Sequence, residues 1–253
     1  MQDRQDPKDG DAAEPLPQRI HITRDEILNG YAARVERLRA AGMPVLTEEE
    51  LEASRSGILA AHPGGAGPAG GDRPVWMFGY GSLIWNPAFH FAEARPSRIH
   101  GWHRSFCFNI FMGRGSRTRP GLMLALDRGG CCAGLAYRIA PEAVEQETGI
   151  IWRREMMSGA YHPRWVRAVT PDGPVPALAF VMNRSHPRYT GRLPDAEVTE
   201  RLAFARGELG TGAEYLFNTV EHLRDLGIAD RRLEALAAMV RARQAAAREV
   251  SPG

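Results

Sequence analysis

A glutamate stands where a helix should carry an apolar side chain. In PEAVEQETGIIWRREMMSG, residues 141–159, the pattern predicts a helix with Pro141 in its first turn. At about 3.6 residues per turn, Val144, Thr148, Ile151 and Glu155 fall on one stripe, with Trp152 beside it. A carboxylate near the centre of a buried face is either paired inside the protein or has its pKa raised, which suits it to proton transfer. The obvious partners are Arg153 and Arg154, but at one and two residues' remove they are expected to point to other faces.

The second candidate is MFGYGSLIW, residues 77–85. Val75, Trp76, Met77 and Phe78 suit a half-buried strand, and Gly79 and Gly81 then interrupt it. Without side chains at 79 and 81, backbone N–H groups near Ser82 can reach a carboxylate or a developing oxyanion. Ser82 is a poor covalent nucleophile, because GYGSL is not GxSxG and Lys8 is the only lysine. That lone lysine also removes P-loop and Schiff-base chemistry from the main body of the chain. His90, His100 and His103 suggest no metal site, since His100 and His103 lie three apart in a strand-like run and face opposite sides. Trp102, Phe106 and Phe108 share one strand face, as packing residues do. Cys107, Cys131 and Cys132 form an odd set with an adjacent pair, and they read as reduced thiols.

The elements that position these residues fall into two stretches. Residues 1–74 read as an appendage: a disordered tail over 1–19, a helix in ITRDEILNGYAARVERLRAAG between Thr23 and Gly42, a second helix opened by the capping box Thr47–Glu50, and the linker PGGAGPAGGDRP. The compact domain spans 75–250. RIHGWHRSFCFNIFM, GLMLAL and CCAGLAYRI read as strands, and WVRAVT and VPALAFVM flank a PDGP turn as a hairpin. Helices follow at roughly 194–206, 212–226 and 230–248, with Asp230 as an N-cap. Strands first and helices later argue for an α+β fold rather than a Rossmann sheet. A net charge of +2 gives no global field to attract nucleic acid or an acidic membrane. The charged N-terminus is not a signal peptide, and no apolar run is long enough for an ordinary transmembrane helix. A soluble, cytoplasmic protein is expected.

GYGSLIW after an apolar strand, followed in order by RPG, CCAGLAYR, RREMMSGAY and EYL, resembles the ChaC-type γ-glutamylcyclotransferases. The resemblance covers about residues 75–240. It implies a small mixed β-barrel with flanking helices, and cofactor-free cleavage of glutathione to 5-oxoproline and cysteinylglycine. It places the substrate loop on Phe78, Gly79, Tyr80, Gly81, Ser82 and Leu83, the essential glutamate on Glu155, and two substrate-side tyrosines on Tyr215 and Tyr189. Two stretches depart from the family pattern. Many relatives carry HRGTP where GRGSRTRPG stands, residues 113–121, and an asparagine where Ala213 stands. The basic run reads as a solvated loop or as a contact to the glycyl carboxylate of the substrate. The N-terminal residues are expected to cap the barrel, whose first strand would otherwise leave an open edge. Two other readings accompany this one: action on other γ-glutamyl amines or dipeptides, and a non-catalytic γ-glutamyl-binding module.

Overall fold

The structure, a computed structural model, describes residues 22–65 and 73–250. The expected tail and most of the expected linker lie outside the described residues.

Thr23 caps the first helix, α1 (Arg24–Leu28), in a reciprocal pair with Glu26: the Thr23 backbone N–H donates to the Glu26 carboxylate, and the Glu26 N–H donates to the Thr23 hydroxyl. The single helix expected here breaks at Gly30 and resumes as α2 (Tyr31–Ala40). A Cβ at position 30 would lie 2.7 Å from the carbonyl oxygen of Glu26, so the break needs glycine. Gly42, at φ +68°, ends the second segment in the left-handed conformation that L side chains avoid. Thr47 and Glu50 form the capping box of α3 (Glu48–Ala60).

The barrel strands are β1 (Val75–Gly79), β2 (Glu93–Ile110), β3 (Gly121–Ile139), β4 (Tyr161–Thr170) and β5 (Gly173–Met182). Their order is β1-β3-β2-β4-β5, and the barrel closes where β5 runs parallel to β1, with Trp76 opposite Ala177. The other neighbours in that order pair antiparallel, so the barrel is mixed. Both edges of β1 are thereby paired, and the expected open edge does not exist. The two strands read at 121–126 and 131–139 are one continuous β3, which carries Gly129 and Gly130 at positive φ where its pairing with β2 shifts register and then resumes. The aromatic set on β2 divides: Trp102 packs on the inner cluster, while Phe106 and Phe108 join the larger core, with register shifts at His100/Trp102 and Phe106/Phe108.

That inner cluster draws on all five strands, and Ala136, Ala168, Ala177 and Ala179 keep its side chains small enough for a narrow interior. Phe78 and Ile99 fill the remaining space and are fully buried. The larger core joins the barrel to one-turn α4 (Ser82–Trp85), α5 (Val144–Glu155), α6 (Asp195–Phe204), α7 (Gly212–Asp225) and α8 (Arg231–Val250). A two-residue strand pair, β6 (Arg206–Gly207) with β7 (Gly210–Thr211), links α6 to α7. Asp230 caps α8 by accepting from the Leu233 N–H at 3.1 Å.

The N-terminal helices are not a separate unit. Tyr31, Val35 and Leu51 belong to the same core as the barrel. Arg24 pairs with the buried Glu147 of α5, and Arg55, itself 5% exposed, reaches Glu145 and donates to the Thr148 hydroxyl at 3.1 Å. Trp165 of β4 donates through its indole N–H to the Ile58 carbonyl at 2.8 Å. Among the described residues, no helix is long and apolar enough to cross a membrane.

Candidate active site

Helix α5 buries its stripe as its periodicity requires: Val144, Thr148, Ile151 and Trp152 are all buried. Glu155 continues that stripe as the last residue of the helix, so its carboxylate leaves the packed core and enters a cavity of about 390 Å³. The barrel side of the cavity is formed by Phe108, Ile110, Met123 and Tyr161, and another side by Ser82 and Trp85 together with Tyr215 of α7. Across from these, α1 and α2 supply Glu26, Gly30, Ala33, Arg34 and Arg37.

Burial raises the Glu155 carboxyl above its ordinary pKa, and the guanidinium groups of Arg154 and Arg34 pull it only part of the way back. Arg154 is the direct partner, with Nε 3.0 Å from the Glu155 Oε1. This overturns the expectation that both neighbouring arginines point elsewhere. It holds for Arg153, which lies over the Tyr31 ring and pairs with Glu48. Arg154 instead folds back beside the helix end. Its Nη2 donates to the Ser82 hydroxyl at 3.1 Å, and its Nη1 donates to the carbonyls of Asn86 and Pro87. One side chain therefore fixes both the carboxylate and the loop after β1.

The glycines of that loop admit two tyrosines. A Cβ at Gly79 would sit 2.8 Å from Cε2 of Tyr137, whose hydroxyl donates to the Leu83 carbonyl at 2.9 Å. A Cβ at Gly81 would sit 3.0 Å from the Tyr215 hydroxyl oxygen. Of the expected loop residues, only Ser82 lines the cavity. Phe78 lies inside the barrel, and Tyr80 donates its hydroxyl to the Phe180 carbonyl at 3.2 Å. Gly79 and Leu83 stand behind the wall, buried, where they shape the loop.

Tyr215 lines the cavity, and burial pushes its hydroxyl up to about 12, with the Glu155 charge adding to the shift and Arg114 opposing it. Tyr189 does not reach the cavity; its hydroxyl donates to Asp127 at 2.9 Å. The tyrosine beside Glu155 is Tyr161, whose pKa burial and then the Glu155 charge raise well above the ordinary value. It ends the RREMMSGAY motif, so the signal for it was present in the sequence. Arg188, after β5, lies 4.5 Å from the centre of the Phe108 ring, and its Nε is buried with no hydrogen-bond partner among the described residues. From the basic run 113–121, only Gly113 and Arg114 reach the cavity, and Arg114 donates to the Thr211 carbonyl at 3.1 Å.

A closed mixed barrel with a carboxyl of raised pKa beside a glycine loop defines a protein of the γ-glutamylcyclotransferase fold. A solved yeast γ-glutamyl cyclotransferase specific to glutathione has the same fold, with a TM-score of 0.60 at 20% identity, over 68% of this chain and 100% of that one. The chain belongs to the ChaC-like protein family, whose family model matches residues 75–243. The glutathione-specific γ-glutamylcyclotransferase of Escherichia coli (strain K12) is 39% identical over 226 residues, covering 87% of this chain and 92% of the relative. The glutathione-specific γ-glutamylcyclotransferase 1 of Mus musculus is 34% identical over 188 residues, covering 70% and 84%.

Proposed function

We propose that this chain cleaves glutathione to 5-oxoproline and cysteinylglycine, with Glu155 as general acid and base. The observation that carries the reading is Glu155 itself: a carboxyl of raised pKa in the wall of a cavity large enough for a tripeptide, beside the loop at Ser82. The α-amine of the γ-glutamyl group must lose a proton before it can attack its own γ-carbonyl. A carboxyl shifted toward neutrality is suited to take that proton and to pass one to the departing nitrogen. The new lactam C–N bond forms as the amide C–N bond breaks, and nucleophile and electrophile belong to one molecule, so no covalent enzyme intermediate is needed. What remains for the protein is to hold the γ-glutamyl chain folded for ring closure.

The loop from Phe78 to Leu83 serves that end through its backbone, with Ser82 at the cavity surface. Tyr161 and Tyr215 keep their protons at neutral pH, which leaves two O–H donors for the oxyanion that develops on the γ-carbonyl. Tyr189 has no contact role in this scheme. The free thiols Cys107, Cys131 and Cys132 fit a reducing compartment such as the cytoplasm.

The test is to incubate the purified protein with glutathione and quantify 5-oxoproline and cysteinylglycine together, with Glu155→Gln alongside. Equimolar products from the wild type and none from the folded variant are expected. Product from both proteins would make Glu155 structural, and no product from the wild type would overturn the glutathione reading.

A further inference from the structure

The family model begins at residue 75, yet one side of the cavity is built from residues before it. On α2, Tyr31 and Val35 are buried and Leu38 packs against the core; Arg34 lies on the same stripe at three- and four-residue spacing. This is the anomaly of Glu155 repeated with the opposite charge. Among the described residues, no hydrogen bond or ion pair holds the Arg34 guanidinium, although burial is the largest influence on it. Arg34 is half-buried at the cavity wall, so its guanidinium is open to an incoming anion and has no direct partner among the described residues that the anion must displace.

The charges that act on Arg34 locate it along the cavity. Arg34 shares the cavity wall with the largely buried Glu155 and Arg154 and with Arg37 and Glu208. Arg37 and Glu208 are exposed and lie 3.6 Å apart, which marks the rim. Arg34 therefore stands between the proton-transferring carboxylate and the opening. A substrate whose scissile amide sits at Glu155 sends its leaving portion that way, and the two residues of cysteinylglycine span at most about 7 Å. Its far end is a carboxylate. The other cations facing the cavity are placed differently: Arg114 is held by Thr211, Arg154 by Glu155 and the loop, and Arg188, whose Nε is also unpartnered among the described residues, lies on the barrel side over Phe108 rather than on the N-terminal helices.

We propose that Arg34 is a specificity-determining residue that receives the glycyl carboxylate of glutathione, making α1 and α2 part of the active site. The proposal rests on the glutathione reading. It gives the N-terminal helices a chemical role, since they turn a cavity that could act on any γ-glutamyl amine into one that reads the acid end of a tripeptide.

The experiment compares glutathione with its glycyl monoethyl ester, which lacks only that charge, on wild type, Arg34→Met, Arg34→Lys and Arg188→Met. Wild type should prefer the free acid by about 10- to 100-fold in kcat/KM, the range for one lost charge-assisted hydrogen bond. Arg34→Met should raise KM for glutathione by a similar factor and level acid and ester, while any change in kcat that passes through Glu155, on which Arg34 also acts, falls on both substrates alike; Arg34→Lys should restore part of the preference. Calorimetric titration of Glu155→Gln, with and without Arg34→Met, should show the same loss in binding of glutathione and none for the ester. Retained preference in Arg34→Met overturns the assignment, as does a levelling that appears only in Arg188→Met. A fall in kcat with a shifted pH profile and unchanged KM would mean that Arg34 acts through Glu155, which also overturns it. Failure of the glutathione reading is separate: it shows as a wild type that yields no 5-oxoproline, whereas the titrations still report which residue holds the carboxylate.

Discussion

Replacing Arg154 with methionine keeps the aliphatic stem and removes everything the guanidinium does. Four acceptors lose their donor: the Glu155 Oε1, the Ser82 hydroxyl, and the carbonyls of Asn86 and Pro87. The Arg154 side chain is 7% exposed and that of Glu155 is 16%, so the pair is largely desolvated. Breaking a buried pair by removing one partner costs about 3–5 kcal/mol. Water entering from the cavity reaches Glu155 and holds its share near the lower end. The loop acceptors, at about 1 kcal/mol apiece, are partly exposed and recover some of theirs, so the total stays near about 3–5 kcal/mol. For a protein of this size that lowers Tm by about 6–20 °C.

Two readouts separate this account from a general loss of packing. Arg154 is the foremost cation opposing the burial of Glu155, so its removal lets the carboxyl rise further. The limb of kcat/KM that requires ionised Glu155 should then move to higher pH. Arg153→Met is the control. That side chain is 37% exposed and pairs with Glu48 at the surface, so the change should cost under about 1 kcal/mol and leave the profile in place. Differential scanning calorimetry and a pH–rate profile decide the matter. Equal Tm shifts for the two variants, or a limb that stays put in Arg154→Met, would refute the reasoning.

The glycine loop gives a second expectation. Gly79→Ala drives a methyl against the Tyr137 ring and should cost about 1–3 kcal/mol, as overpacking does; Gly81→Val presses on the Tyr215 hydroxyl and should abolish turnover, and a Gly81→Val enzyme with near-normal kcat/KM would sink the loop's assigned role. The third concerns the stability cost of Glu155. A carboxyl whose folded pKa lies above its unfolded value, about 4.3, binds its proton more tightly in the folded chain, so its favourable contribution is complete at low pH and is lost as pH rises through the folded pKa. Glu155→Gln escapes that loss. Its Tm relative to wild type should climb as pH rises through this window and level off above it, and a gap that narrows with rising pH would show the shift to have the opposite sign.

The place of Glu155 on the buried stripe of α5 was legible because a helical period is a local rule, and a charge on an apolar stripe violates it visibly. The caps at Thr23, Thr47 and Asp230 were legible for the same reason: each is a contact within four residues. Arg154 escapes the face rule because helical phase sets only the direction of its Cα–Cβ bond. A guanidinium on a long stem at the end of a helix can fold back to its neighbour. The wall formed by α1 and α2 was hidden because it depends on contacts such as Arg24 with Glu147, across 123 positions. Arg34 broke the stripe rule as plainly as Glu155 did, but it lies in the stretch read as an appendage and was not singled out. The continuity of β3 through Gly129 and Gly130 was hidden because two glycines at positive φ usually end a strand.

These contacts converge on α5, which explains how distant parts of the chain serve one cavity. Its first half holds the N-terminal helices: Glu147, 1% exposed, accepts from Arg24 and from the His90 backbone N–H, while Glu145 and Thr148 hold Arg55. Its last two residues hold the loop and present the carboxylate. A packed helix transmits position because its interior is close-packed and cannot deform gradually. The segment carrying Arg34, the loop carrying Ser82 and the carboxyl of Glu155 are therefore set against one rigid reference. Ring closure needs that, since the chemistry asks for little beyond a folded substrate and one well-placed proton acceptor.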